Sequence, residues 1–321
     1  MRLQTIAKTM APLPLLLMTA CSSGTGAQDA SEYPERTVRF LVPYSAGGPT
    51  DLGARSLMPC FEEEFGGTWV VENKPGGAGA LAMLEIANAT PDGYTLGVGS
   101  QSTFVTTPLV EESAGYSYKD FTHAGQMMEF PGVILVQPDS PYKTIEDLFA
   151  AAQEEGANIS VGTSGSQVSF SLALNQLAER GMGFTVVPFP GTAEANTALL
   201  GGNVDARWEA ADSTTIKLIE DGQMRPLATG AEERLPFFPD VPTLAESGIT
   251  DVLETRTFYG FVGPDGLDPA IEKRLTNTLE TCVKSDTFTK AVGENYATYA
   301  TPDQLLKRLD AYEATVSEIL G

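Results

Sequence analysis

Histidine, cysteine and positive charge are scarce in this chain, and each scarcity removes a class of function. Of 321 residues one is histidine, His123, and three are cysteine, Cys21, Cys60 and Cys282. One imidazole and three widely spaced thiols make no zinc-ligand cluster, and Glu62-Glu63-Glu64 reads most simply as a solvated helix face, so no metal or other cofactor is implied. Lysine and arginine total 20 against 42 aspartate and glutamate, a net charge of -22. Binding a phosphate backbone would add repulsion instead of releasing counterions, which sets nucleic acid aside. The one long apolar stretch, 11–20, contains Pro12 and Pro14 and is too short to span a bilayer. No repeat at solenoid periods is visible. What remains is 42% hydrophobic and 19% charged residues, the balance of packed domains, and the length suits two of them.

The N-terminus reads as an export signal: Arg2 and Lys8, then the apolar stretch, then small polar residues from Ser22 to Gln28. Leu17-Met18-Thr19-Ala20-Cys21 resembles the lipobox of bacterial lipoproteins, which implies removal of residues 1–20, lipidation of Cys21 and a linker over 21–34. An ordinary signal cleaved near 27–30 is the alternative.

Beyond the linker, short apolar runs alternate with helical periods. Strands are expected at 38–42, 69–71, 94–98, 133–136, 159–161, 184–187 and 225–228. Helices are expected at 51–65, 78–89, 145–153, 170–180, 193–200 and 213–221. Repeated β-α alternation predicts an α/β fold with parallel sheets and ligand crevices at the carboxyl ends of the strands.

Enzyme motifs fit poorly. Gly77-Ala78-Gly79-Ala80-Leu81-Ala82 matches a loose dinucleotide pattern, but Ser100 and Gln101 stand where its acidic residue belongs. Gly162-Thr163-Ser164-Gly165-Ser166 lacks the final glycine of a nucleophile elbow. An exported serine hydrolase using Ser164 or Ser166 would need His123 beside it. More distinctive are Gly/Ser/Thr loops directly after strands: Tyr44 to Asp51, 99–103, 163–166 and 190–192. Exposed amides at such helix starts can hold a carboxylate without lysine or arginine.

The run Val42-Pro43-Tyr44-Ser45-Ala46-Gly47-Gly48-Pro49-Thr50-Asp51 with Arg55 resembles a signature of the substrate-binding proteins of tripartite tricarboxylate transporters, also called Bug receptors. So do Val71 to Gly77, Pro91 to Leu96, Tyr118 to Phe121, Leu200 to Asp205 and Asp240 to Gly248, in order along the chain. The resemblance implies a two-lobed periplasmic-binding-protein-like fold, each lobe a mainly parallel sheet flanked by helices, with two hinge crossovers. Lobe 1 is expected at 35–129 and 254–321 and lobe 2 at 130–253. It implies no enzyme but an extracytoplasmic receptor, lipid-anchored or periplasmic, that closes on a small organic carboxylate and delivers it to membrane permease subunits. A sensory co-receptor serving a membrane kinase is a further alternative.

By position, the resemblance places Ser45, Gly47, Gly48 and Asp51 at the ligand through the first loop, Ser166 through the second-lobe loop, Gly191 and Thr192 through the next, and Asp205 through its Gly-x-x-Val-Asp segment. Tyr44, Thr163 and Gly165 in these loops, and Ser100 and Ser102 in the 99–103 loop, are further candidates for ligand contact. Asp51 either meets the ligand or only serves the helix start and Arg55; Asp205 either meets the ligand or only ends a strand. Aromatic candidates for the cleft are Tyr44, Phe170, Trp208, Phe258 and Tyr259. If the chain returns to lobe 1 as implied, Cys60 and Cys282 lie in one lobe and can pair after export; two buried thiols are the alternative.

Overall fold

The computed structural model describes residues 33–250, 252–253 and 256–321. The expected signal segment, Cys21 and the linker as far as residue 32 lie outside the described residues. At its start Tyr33 is buried, and its hydroxyl donates to Gly93 O at 2.6 Å, pinning the chain beneath a turn.

The β-α alternation continues through most of the chain. β1 (Val38–Val42) leads into α1 (Pro49–Phe65), β2 (Trp69–Asn73) into α2 (Ala80–Ala87), and β3 (Thr95–Ser100) into a π-helical turn, Ser102–Thr106, that runs on as α3 (Thr107–Val110). A long strand, β4 (Phe121–Val136), precedes α4 (Ile145–Ala152). There follow β5 (Ile159–Thr163), α5 (Ser169–Glu179), β6 (Phe184–Pro188), α6 (Thr192–Leu200), β7 (Ala206–Ala210), α7 (Ser213–Glu220) and β8 (Arg225–Thr229). The chain closes with β9 (Arg256–Pro264), α8 (Pro269–Val283), α9 (Asp286–Val292) and α10 (Pro302–Leu320).

The strands join in one sheet in the order β2-β1-β3-β9-β4-β7-β5-β6, with β8 also on β4. Parallel pairing is confined to two groups, β2-β1-β3 and β6-β5-β7. Between them β9 and β4 run antiparallel to each other and to their outer neighbours, so the sheet is mixed where mainly parallel sheets were expected. β4 changes partners along its length: Phe121 to Pro131 lie against β9, and Gly132 to Val136 against β7 and β8. One strand thereby ties both parallel groups together.

Local chemistry accounts for the elements. Pro49 sits in the first turn of α1, where its missing N–H costs nothing, and Leu57, Phe61 and Phe65 recur on one face to be buried against Trp69 and Phe261. The main core runs continuously beneath both parallel groups, while a smaller cluster of Val133, Leu135, Leu199 and Met224 fills the space below α6 and α7. The C-terminal helices return to the first group. Arg308 donates to Glu129 Oε2 at 2.8 Å and Gln126 Oε1 at 2.6 Å and lies over the Phe258 ring, while the Tyr118 hydroxyl donates to Asp310 Oδ1 at 2.5 Å. α1 and α8 are also joined covalently by the Cys60–Cys282 disulfide, with Cα atoms 5.7 Å apart.

That bond closes a loop across 222 positions of sequence, so its loss frees a long loop in the unfolded chain. Replacing both cysteines by serine is expected to cost about 2–4 kcal/mol in denaturant unfolding. Counting thiols on the unreduced, denatured mature protein should find neither Cys60 nor Cys282 reactive; two reactive thiols would contradict the pairing.

Candidate functional site

Most of the chosen loops meet. A narrow cavity of about 20 Å³, room for little more than one water, is lined by Tyr44, Ser45, Gly48, Pro49 and Thr50 from the start of α1, Ser100 and Ser102 after β3, Ser164 after β5, and Gly191 and Thr192 at the start of α6. Val168, Phe170, Glu209, Thr257 and Tyr259 complete it. A second cavity of about 280 Å³ shares Tyr44, Ser102, Ser164 and Val168 with it and adds Gly165, Ser166 and the loop preceding α2. The two sides touch. A Cβ at Gly48 would meet Thr192 Cβ at 3.5 Å, and one at Gly191 would meet Ser45 Cβ at 3.2 Å. At Gly48 that is ordinary contact, whereas at Gly191 a side chain would push Ser45 back by a few tenths of an ångström. A larger cavity of about 390 Å³ lies apart from these loops, between α4, α5, residues 247–250 and Val252.

The helix starts divide into two kinds. α4, α7, α8, α9 and α10 each begin with a side chain that accepts a first-turn N–H: Thr144, Asp212, Asp268, Ser285 and Thr301. α1, α2, α5 and α6 begin at Gly48, Gly79, Val168 and Gly191, which supply no side-chain acceptor. These four residues line the two adjoining cavities. The positive ends of these helix dipoles converge on the cleft. At α2 the first amides are already used, Ala80 N–H by Gly77 O and Leu81 N–H by Gly76 O, so among the described residues the amides left for a ligand are those of the first turns of α1, α5 and α6.

Other predicted residues support the cleft from behind. Asp51 is buried below the first loop; its Oδ2 accepts Gly47 N–H at 3.0 Å and its Oδ1 accepts Arg55 Nε–H at 2.9 Å. Burial pushes the Asp51 carboxyl up, but the bonds from Arg55 and Gly47 more than offset it and hold it below the usual range. Gly47 needs its positive φ of 88° to turn that amide inward. The Tyr44 hydroxyl shares a hydrogen bond of 2.9 Å with Ser100 Oγ. Thr163 is fully buried; its hydroxyl donates to Gly165 O at 3.0 Å and accepts from Ser171 at 2.8 Å, shaping the loop without lining the cavity.

Three candidates stand elsewhere. Asp205 precedes β7 at the end of the strand remote from the cleft, where its carboxylate accepts Ser160 N–H at 2.8 Å and Ser160 Oγ–H at 2.6 Å. Trp208 packs beside Phe170 on the α4–α5 side, and Phe258 packs under Arg308. His123 is also distant in kind: it is buried among Phe104 and Phe121, its Nε2 donates to Tyr118 O at 2.7 Å, and its Nδ1 has no partner. Burial lowers its pKa. Neither ring nitrogen bonds a serine, so the pair that a serine hydrolase needs is not formed.

Glu209 was missed as a site residue, whereas Thr50 and Ser164 lay in the chosen loops without being singled out for the carboxylate. Ser164 N–H donates to Glu209 Oε2 at 2.8 Å, joining the ends of β5 and β7. The signal for Glu209 lies in Ala206-Arg207-Trp208-Glu209-Ala210: in a strand buried on both faces, charges at alternate positions share one face and need a polar purpose.

Comparison with known proteins gives consistent matches. The family model described as "Tripartite tricarboxylate transporter family receptor" matches residues 54–317. The "UPF0065 protein in gbd 5'region" of Cupriavidus necator is 31% identical over 267 residues, 83% of this chain and 80% of that protein. The solved structure of periplasmic binding protein BugD is 30% identical with a TM-score of 0.80, covering 89% of this chain and 97% of that one. MatC from Rhodopseudomonas palustris, solved with bound malate, is 26% identical with a TM-score of 0.82, covering 90% and 100%.

Asp51 offers a direct check on the loop. Because its pKa is depressed, its contribution is present above the ordinary carboxylate value near 3.9 and is lost as pH falls through its lower folded value. Asp51→Asn should therefore lower the melting temperature at pH 7, and the gap to the unsubstituted protein should narrow below about pH 4. Equal melting temperatures at pH 7 would show that the carboxylate does not hold the loop.

Proposed function

The chain belongs to the tripartite tricarboxylate transporter receptor family, and on that premise we propose that it is an exported receptor that closes around a small organic carboxylate and delivers it to membrane permease subunits. The moving parts are lobe 1, residues 35–129 with 254–321, and lobe 2, residues 130–253. They hinge where β4 and β9 pass between the two parallel groups. Acylated Cys21 tethers the mature protein to the membrane, and a linker lets the lobes reach the permease. The malate bound to MatC fits a ligand class of short carboxylic acids.

The carrying observation is the set of three uncapped helix starts, those of α1, α5 and α6, at one cleft. A carboxylate there accepts first-turn N–H groups and serine or threonine hydroxyls, and it lies at the favourable ends of the dipoles. Each such charge-assisted bond contributes about 1.5–3 kcal/mol, so a few suffice for micromolar affinity without a cation. Because Gly48 meets Thr192 and Gly191 meets Ser45, closure brings donors from both sides onto one anion.

Thermal-shift titration with malate, succinate, citrate, L-aspartate and L-glutamate tests this reading. At least one acid should raise the melting temperature by about 2–5 °C at a hundredfold excess over Kd. Gly191→Val, whose side chain would press on Ser45, should abolish that rise while leaving the unliganded melting temperature within about 3 °C. Unchanged binding by this variant would mean that the loops do not close on the ligand. For the anchor, a mass spectrum of the mature N-terminus should find a diacylated Cys21; an unmodified terminus beyond residue 21 would contradict it.

A further inference from the structure

Glu209 is a charge that a plain carboxylate receptor does not need. It lines the narrow cavity near the carboxyl end of β7 and is 3% exposed. Main-chain bonds pin both oxygens: Oε2 accepts Ser164 N–H at 2.8 Å and Oε1 accepts Ala210 N–H at 3.0 Å. Each oxygen keeps a second lone pair. Among the described residues no lysine, arginine or histidine lines this cavity.

The groups behind Glu209 do not balance. Arg207, fully buried two residues earlier on the same face, reaches only Thr215 Oγ1 at 3.4 Å, and its Nε and Nη2 have no partner. Asp212, 1% exposed, accepts Thr215 N–H through Oδ1 at 2.6 Å, while Oδ2 has no partner. One guanidinium thus serves two buried carboxyls. Burial raises the pKa of Glu209 and of Asp212, with Arg207 pulling both back only in part, and burial lowers that of Arg207. The phenols of Tyr44 and Tyr259, which also face Glu209, are raised by burial first and by its negative charge as well. Glu194, in the first turn of α6 beside Gly191, buries an Oε2 that also lacks a partner. A ligand carboxylate brings a further negative charge into this enclosure, where unmatched charge is costly.

The two sides of the cleft differ accordingly. The α1 side presents Ser45, Thr50, Ser100 and Ser102, and its one buried acid, Asp51, is already satisfied by Arg55 and Gly47. The β7 side presents the Glu209 carboxylate, with no such cationic partner among the described residues. The geometry points to Glu209 as the receptor's anchor for a cationic amino group, so that the ligand is an amino acid, with its carboxylate between the starts of α1 and α6 and its ammonium on Glu209. This rests on the carboxylate-receptor reading above and narrows it. An ammonium has three N–H donors, and Glu209 with the Tyr259 hydroxyl offers acceptors in the same cavity. A ligand without the amino group would require Glu209 to be protonated, its O–H donating to the ligand, and binding would then take up a proton.

Calorimetric titration of the mature protein at pH 7.5, in two buffers of different ionisation enthalpy, separates these cases. The matched probes are L-alanine and propionate, L-aspartate and succinate, and L-glutamate and glutarate. In the best-bound pair the amino acid should bind at least about tenfold more tightly, the scale of one charge-assisted bond, without net proton uptake. Glu209→Gln should reduce that preference to within about threefold, since the amide keeps an acceptor but loses the charge. If that variant does not fold, the comparison on the unsubstituted protein decides alone. Equal or tighter binding of the desamino acids, or binding coupled to uptake of about one proton, overturns the inference and leaves the carboxylate reading standing. Binding of none of these acids, nor of malate or citrate, overturns both.

Discussion

Unsatisfied amides at converging helix N-termini are the constraint around which the structure is arranged. A buried helix end without an acceptor is unfavourable, and this protein caps the ends that lie elsewhere with Thr144, Asp212, Asp268, Ser285 and Thr301. At the cleft it places glycines and a valine instead. The sheet makes the convergence possible. β1, β2, β5 and β6 point their carboxyl ends at the same place, and the antiparallel pair β4 and β9 holds the two parallel groups edge to edge. The Glu129–Arg308 and Glu129–Arg256 ion pairs brace this crossing, and Gln101 bridges it by donating to Arg256 O at 2.7 Å and accepting Phe258 N–H at 2.9 Å.

Capture without a lining cation suits the charge of the chain. A net charge of -22 repels anions at long range, although physiological salt screens this beyond about 8 Å. On the proposed reading, selectivity comes from contacts made only on closure. Amides fixed at helix starts lose no side-chain entropy when they bind, and they are hydrated only while the cleft is open. A guanidinium in the same position would draw in any small anion.

The first loop was legible because its chemistry is local: Gly47 and Gly48 for the turn, Pro49 for the helix start, Asp51 for the first turn, all within eight residues. The β-α units were legible by periodicity for the same reason. β4 was recovered only over its last four residues, since Phe121 to Pro131 mixes polar residues, glycine and proline and is stabilised by pairing with β9, more than a hundred positions away. β7 was overlooked because Arg207 and Glu209 interrupt its apolar run. Asp205 was drawn to the ligand by its place in a motif; the parallel register sets it beside Ser160, at the end of the strands opposite the cleft.

A crystal structure of the mature protein with its tightest-binding acid tests the central claim most directly. The account predicts a ligand carboxylate between the starts of α1 and α6, its oxygens about 2.7–3.1 Å from first-turn amides and from hydroxyls such as those of Ser45 and Thr192. A carboxylate paired with a lysine or arginine side chain, or a ligand seated in the cavity between α4 and α5, would contradict it.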